Sequence, residues 1–382
     1  MQNDISRQWA LLTPFVPGEM LTAQAQQVES LGMAGIFVPE IYSDPFMGLG
    51  FCAAVTNRVQ LASGIKIAFA SNPFEIAMTA MDLDRLSGGR VVLGLGTSIR
   101  NWVEGFHGMP RYEKPVPRLR EAIQIIREVW AKSHVPGALQ TFEGQFHHHD
   151  WRTFAGAFAE PVRETIPIWL AANQKGLTRL AGEVADGFID HPIHGPHWAA
   201  THGREALAEG LRKAGRDRKD IHWNCWLWVA VNNDRNEALN DARATVAFYA
   251  GMRQYQPMFA TMGFDKESMA CVEAFEKGDL AGWVGAITDE MAEAFVVLGP
   301  PDECRKRVEE VWDVADSFCL CPPLGGLPPE KIMFYIGGIA ETFYSVAGRA
   351  PRLRFFWRLR RPAWGPNPRL LQSVGPLPHA WP

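Results

Sequence analysis

The 382-residue chain is most informative first for what it lacks. No uninterrupted apolar run approaches the roughly 18 residues of a membrane-spanning helix, so a membrane protein is not expected. The N-terminal residues 1–7 carry no basic segment followed by an apolar one, which excludes a secretory signal and implies a cytoplasmic home. Cysteine is sparse and scattered: Cys52, Cys225, Cys271, Cys304, Cys319 and Cys321 show no C-x-x-C spacing and read as buried apolar residues rather than a disulfide framework. No P-loop, no H-E-x-x-H and no Ser-His-Asp order occurs. An excess of positive charge is also missing. The net charge of −4 argues against general nucleic-acid binding. That total hides an asymmetry, because residues 346–382 hold seven arginines and no acid, leaving −11 on residues 1–345.

What is present is a composition of 47% hydrophobic and 21% charged residues, typical of a globular protein with a sizeable core. Strand-like and helix-like segments alternate along it. The strands fall at 9–12, 35–38, 59–67, 90–96, 166–172, 187–190, 221–231 and 316–320. Between them, apolar residues recur every three or four positions, most regularly at Val116, Leu119, Ile123, Ile126 and Trp130. Asn72-Pro73 marks one helix start, and Ser87-Gly88-Gly89 marks its stop. Two segments break the rhythm: a hairpin near 141–147 before the fifth strand and a mostly helical stretch, 234–298, after the seventh. Eight strand-helix units with two insertions predict an α/β fold, a closed (β/α)8 TIM barrel over residues 1–345, followed by an Arg/Pro-rich tail, 346–382, read as disordered. An open doubly wound sheet would normally carry a glycine fingerprint after its first strand, and none occurs there.

Barrel chemistry gathers where strands end. Gly94-Leu95-Gly96-Thr97 ends the fourth strand; its glycines either let a flat ring approach the backbone or merely ease the strand end. Asn173-Gln174-Lys175-Gly176 ends the fifth and opens a helix, forming a phosphate cradle or an ordinary cap. Glu40 follows the second strand as a ring contact, a proton relay or a surface acid, and His191 follows the sixth as a substrate or cofactor contact. His147-His148-His149 cannot converge on one ion if they alternate along a strand, so no metal site is assigned. Pro192 and Pro196 argue against a regular helix through His191, His194 and His197. Trp223, Trp226 and Trp228 read as packing residues.

Several segments together resemble the luciferase-like monooxygenase superfamily of flavin and deazaflavin oxidoreductases. They are Gly35-Ile36-Phe37-Val38-Pro39-Glu40 with Asp44-Pro45-Phe46, Leu61-Ala62-Ser63-Gly64-Ile65 with Asn72-Pro73, and the run Leu86 to Thr97. Phe142-Glu143-Gly144-Gln145-Phe146, Ile166 to Ala172 and Leu180 to Phe188 complete the set. The subgroup most resembled is dependent on the deazaflavin coenzyme F-420. The resemblance implies a barrel, usually a homodimer, that binds reduced FMN or coenzyme F-420 at its mouth and acts on a small molecule, in some members with a reductase partner. It also implies a non-proline cis peptide at Gly64-Ile65 behind the ring. Gly96 and Thr97 then lie at the ring, Asn173, Gln174, Lys175 and Gly176 at the phosphate end, and Glu40 and His191 at the reacting face. Sugar-phosphate dehydrogenases of the superfamily carry a histidine and a glutamate where this chain has Ile41 and Ile99. That departure points to a weakly polar substrate, or alternatively to a barrel that binds flavin without turnover.

Overall fold

The computed structural model describes residues 4–153 and 156–344; the arginine-rich tail and its boundary at 345 lie outside them. Eight parallel strands close on themselves. They are β1 (Gln8–Leu11), β2 (Gly35–Val38), β3 (Gln60–Ser63), β4 (Val91–Gly96), β5 (Ile168–Ala172), β6 (Gly187–Asp190), β7 (His222–Val231) and β8 (Ser317–Cys321). Each pairs with the next, and β8 returns to β1 through Gln8 opposite Phe318 and Trp9 opposite Cys319, completing the expected barrel.

Strand period two divides the apolar residues between two cores. Along β7, Trp226, Trp228 and Ala230 face the barrel interior with Trp9, Phe37 and Trp169, whereas Cys225, Leu227 and Val229 face the surrounding helices. The interior is plugged by aromatic rings. Trp9 lies 4.6 Å from Phe37 and 5.1 Å from Trp169, and Trp226 lies 4.9 Å from Phe37. Such a filled interior leaves only the rim for ligands.

The helix signals hold. Pro73–Ser87 begins under an Asn72 cap bonded to the Phe74 N–H at 2.8 Å and ends at Gly88, whose φ of 70° suits glycine. Pro115–Lys132 buries Leu119, Ile123, Ile126 and Trp130 on one face. Both insertions are present. The first contains the hairpin Thr141–Glu143/His148–Asp150, anchored by Glu121, whose carboxylate accepts the N–H groups of Gln145, Phe146 and His147 at 2.6–2.9 Å. His147 also turns to Glu121 while His148 pairs with Glu143.

One expectation needs correction. The third strand is not continuous to 67, because a cis peptide at Gly64-Ile65 separates β3 from the two-residue strand Lys66–Ile67. The stretch 234–298 is mostly helical, as expected, and runs into a short strand, Val296–Gly299, that pairs in parallel with Trp228–Val231. No regular helix runs through His191, His194 and His197: Pro192–His194 forms a single turn, Gly195 breaks it at a φ of 67°, and Gly195–Trp198 begins a separate helix, with both prolines in first turns. Among the described residues no helix is long and apolar enough to cross a membrane, and the six cysteines are free and buried.

Candidate active site

The C-terminal ends of the strands surround a cavity of about 490 Å³. Its wall includes Glu40, Gly64, Ile65, Gly96, Thr97, Asn173, Gln174, Gly176 and His191, so nine of the ten residues singled out above meet at one cavity. The exception is the Lys175 side chain. It points out from the helix start to Glu209, 3.4 Å away, and borders a smaller neighbouring cleft of about 240 Å³.

Two glycines shape the floor. A Cβ on Gly94 would come within 1.8 Å of the Ser63 carbonyl oxygen, and one on Gly96 within 2.2 Å of the Ile65 side chain. Glycine is therefore what lets the cis-linked Gly64-Ile65 segment lie flat against β4 and present its backbone to the cavity. Glu40 braces this segment instead of standing free. One of its oxygens meets Lys66 Nζ at 3.0 Å and the other accepts the Ile67 N–H at 2.6 Å, while Lys66 also bonds Asp44 at 2.7 Å.

On the opposite side, the turn after β6 builds a neutral polar wall. His191 Nδ1 accepts the Ile193 N–H at 3.2 Å, which places its proton on Nε2. His194 Nδ1 accepts the His191 N–H, so its Nε2–H is the one that reaches the Asn173 backbone and side-chain oxygens at 3.0 and 3.1 Å. The Asn173 amide is thereby left to bond Tyr255. Desolvation lowers the pKa of His191 to about 3 and that of His194 well below its usual value, keeping both rings uncharged. Burial raises Asp190 to about 7, against hydrogen bonds from the Trp226 N–H at 2.6 Å and Trp223 Nε1 at 3.2 Å. Burial likewise raises Tyr112, whose hydroxyl lies 2.9 Å from Thr97 Oγ1.

Several residues here escape the sequence reading. Tyr112, Tyr249 and Tyr255 approach from loops and an insertion helix, and no local pattern announces them. Trp226 and Trp228 line the cavity as well as pack, whereas Trp223 faces the helices; alternation along β7 carried that signal.

The residues fit a flavin-like group. The cis segment offers a flat backbone platform. Gln174 makes no side-chain cap, so the first N–H groups of helix Lys175–Val184 remain available for an anion where the two clefts meet. The buried indole N–H groups of Trp226 and Trp228 have no partner among the described residues. Comparison with known proteins decides the family, because the luciferase-like monooxygenase family model matches residues 6–316.

The chain belongs to that family.

Relatives resembling it include an uncharacterized protein of Mycobacterium tuberculosis, 33% identical over 309 residues that span 78% of this chain and 90% of the relative. Among solved structures, the coenzyme F-420-dependent tetrahydromethanopterin reductase of Methanopyrus kandleri superposes with a TM-score of 0.71 at 20% identity, covering 88% of this chain and 98% of that one. A type II Baeyer-Villiger monooxygenase of Pseudomonas putida, the oxygenating constituent of 3,6-diketocamphane monooxygenase in complex with FMN, gives 0.60 at 16% identity over 89% and 98%. Luciferase-like family membership makes this an oxidoreductase-type enzyme with a flavin or deazaflavin cofactor.

Proposed function

We propose that this protein is a deazaflavin-dependent oxidoreductase acting on a small, weakly polar organic substrate in the barrel mouth. When bound, the cofactor supplies or accepts the hydride; the chain binds, orients and excludes water. Gly64, Ile65, Gly96 and Thr97 seat the ring, with Glu40 holding the segment beneath it through Lys66 and the Ile67 N–H. Asn173, Gln174 and Gly176 receive the phosphate end, with Lys175 contributing from the neighbouring cleft. His191 faces the reacting side.

The observation that carries this reading is the Gly64-Ile65 segment packed so closely on Gly96 that no side chain fits between them, at a cavity whose wall holds no lysine or arginine among the described residues. Ile41 and Ile99 both line that cavity, which supports a weakly polar substrate over a sugar phosphate. The same two residues favour, as a second reading, a barrel that binds cofactor without turnover. Reduced FMN with a partner reductase is the alternative cofactor arrangement. Six free buried thiols support a reducing, cytoplasmic setting.

Titration of the protein with FMN and with coenzyme F-420, each oxidised and reduced, tests the assignment by absorbance and fluorescence. Tight binding of the deazaflavin alone is expected. Preference for reduced FMN would redirect the reading to oxygen chemistry, and binding of neither would overturn it. Cofactor binding without consumption of any oxidant or reductant across a substrate panel would favour the non-catalytic reading.

A further inference from the structure

Behind the cavity wall a buried ammonium meets two carboxylates. Lys66, 4% exposed, sits on the two-residue strand that follows Gly64-Ile65. Its Nζ lies 3.0 Å from Glu40 Oε1 and 2.7 Å from Asp44 Oδ2. Glu40 lines the cavity, whereas Lys66 and Asp44 line a groove between helices Pro45–Val55 and Pro73–Ser87. The ammonium is thus lodged between two clefts and bonds one acid of each.

Glu40 is tied to residues 65–67 at three points. Its N–H donates to the Ile65 carbonyl at 3.2 Å, one carboxylate oxygen accepts the Ile67 N–H at 2.6 Å, and the other takes the Lys66 ammonium. With only 8% of that side chain exposed, the carboxylate would be costly to leave without a cation. The cavity wall holds no lysine or arginine among the described residues, so the cation comes from the groove side. Asp44 stands apart from the cavity: 44% exposed, it spends its second oxygen on capping helix Pro45–Val55 through the Phe46 N–H at 2.8 Å.

We propose that Lys66 is a positioning residue for the cofactor, acting through Glu40 in two ways. Its charge cancels the one that Glu40 brings to the cavity, which would otherwise repel a phosphate-bearing, anionic ligand. Its hydrogen bond holds the carboxylate in the orientation that receives the Ile67 N–H, and so holds the floor segment as well. A cation placed behind the acid achieves both without offering a donor to the cavity itself. The inference rests on the flavin or deazaflavin reading above and deepens it by naming what keeps an acid compatible with such a cofactor.

The full-length protein and its variants are titrated with coenzyme F-420 and with FMN at about 0.05 and 0.5 M salt, where screening lengths differ about threefold. Lys66→Met should weaken cofactor binding about tenfold, the scale of a lost hydrogen bond to a charged group, and the added salt should recover part of that loss. Lys66→Arg keeps the charge and should bind nearly as the wild type does. Adding Glu40→Gln to Lys66→Met removes the unpaired carboxylate, so the double variant should bind more tightly than the single one and gain nothing from salt. Asp44→Asn keeps the helix cap and should leave cofactor affinity near the wild-type value. Amide hydrogen exchange on the cofactor-free chain should be faster at Ile67 in Lys66→Met and unchanged there in Asp44→Asn. Should Lys66→Met not fold, Lys66→Gln, whose uncharged amide can still donate to Glu40, takes its place with the same salt signature expected. The role is overturned if Lys66→Met binds cofactor like the wild type, if the double variant binds more weakly than the single one, or if Asp44→Asn loses as much as Lys66→Met. If the wild type binds no flavin or deazaflavin, the functional reading falls instead, and Ile67 exchange in the same variants still decides whether Lys66 positions Glu40.

Discussion

At the scale of single residues, the site depends on two glycines that fail differently when a methyl group is added. The Cβ of Gly94→Ala would meet a backbone carbonyl, Ser63 O, which cannot move without shifting β3. That of Gly96→Ala meets the far end of the Ile65 side chain, which can swing aside but then intrudes on the cavity. We expect Gly94→Ala to destabilise the fold by roughly 3 kcal/mol or more, the range of overpacking with backbone shift, seen as a lowered denaturation midpoint. Gly96→Ala should cost about 1 kcal/mol of stability yet weaken cofactor binding at least tenfold. Equal losses of stability in the two variants, with cofactor binding intact in Gly96→Ala, would contradict this account of the floor.

Among elements, the turn from Asp190 to His194 is the one whose protonation sets a stability profile. His191 and His194 have depressed pKa values when folded, so their stabilisation is complete above the unfolded value of about 6.5 and is lost as pH falls below it, for His191 toward about 3. Asp190 runs oppositely. Its folded pKa is raised to about 7, so its contribution is complete below the unfolded value near 3.9 and disappears as pH rises to 7. Between about pH 4 and 6.5 the Asp190 contribution opposes those of the two histidines, which together outweigh it, so stability falls on acidification. Asp190→Asn removes the opposing contribution and should steepen that fall in urea unfolding at stepped pH. An unchanged slope would mean that Asp190 is ionised throughout. This turn also marks where sequence reading stops. Strand ends, caps and the 3.6-residue period are local, so the barrel, the Asn72 and Gly88 helix boundaries and the Gly96, Thr97 and Asn173 positions were legible. The bond that aims Asn173 spans 21 residues to His194, and Tyr249 reaches the cavity from an insertion helix. Such contacts arise only when the ring of strands closes, and the same holds for the Glu40–Lys66 brace.

At the scale of the whole molecule, one face of the barrel carries large exposed apolar side chains beside a groove that also takes in Asp44, Lys66, Glu75 and Asp82. Helix Pro45–Val55 contains no charged residue, and its outer side shows Met47 at 79% and Phe51 at 41% exposure, next to Leu86 at 77% on helix Pro73–Ser87. The two helices flank a groove of about 740 Å³. A patch of this kind calls for a cover, and a second copy presenting the same helix pair about a two-fold axis would supply one of matching character. Phe15 and Tyr42, 51% and 72% exposed, carry the apolar surface from this face toward Ile41 at the cavity wall, so the partner would also shield the rim from water. Light scattering after gel filtration should therefore give twice the mass of one chain at micromolar concentration. Met47→Glu combined with Leu86→Glu should yield a folded monomer, with unchanged circular dichroism and weakened cofactor binding. A wild-type monomer would remove the dimer, whereas a monomeric variant that binds cofactor normally would keep the interface but detach it from the site.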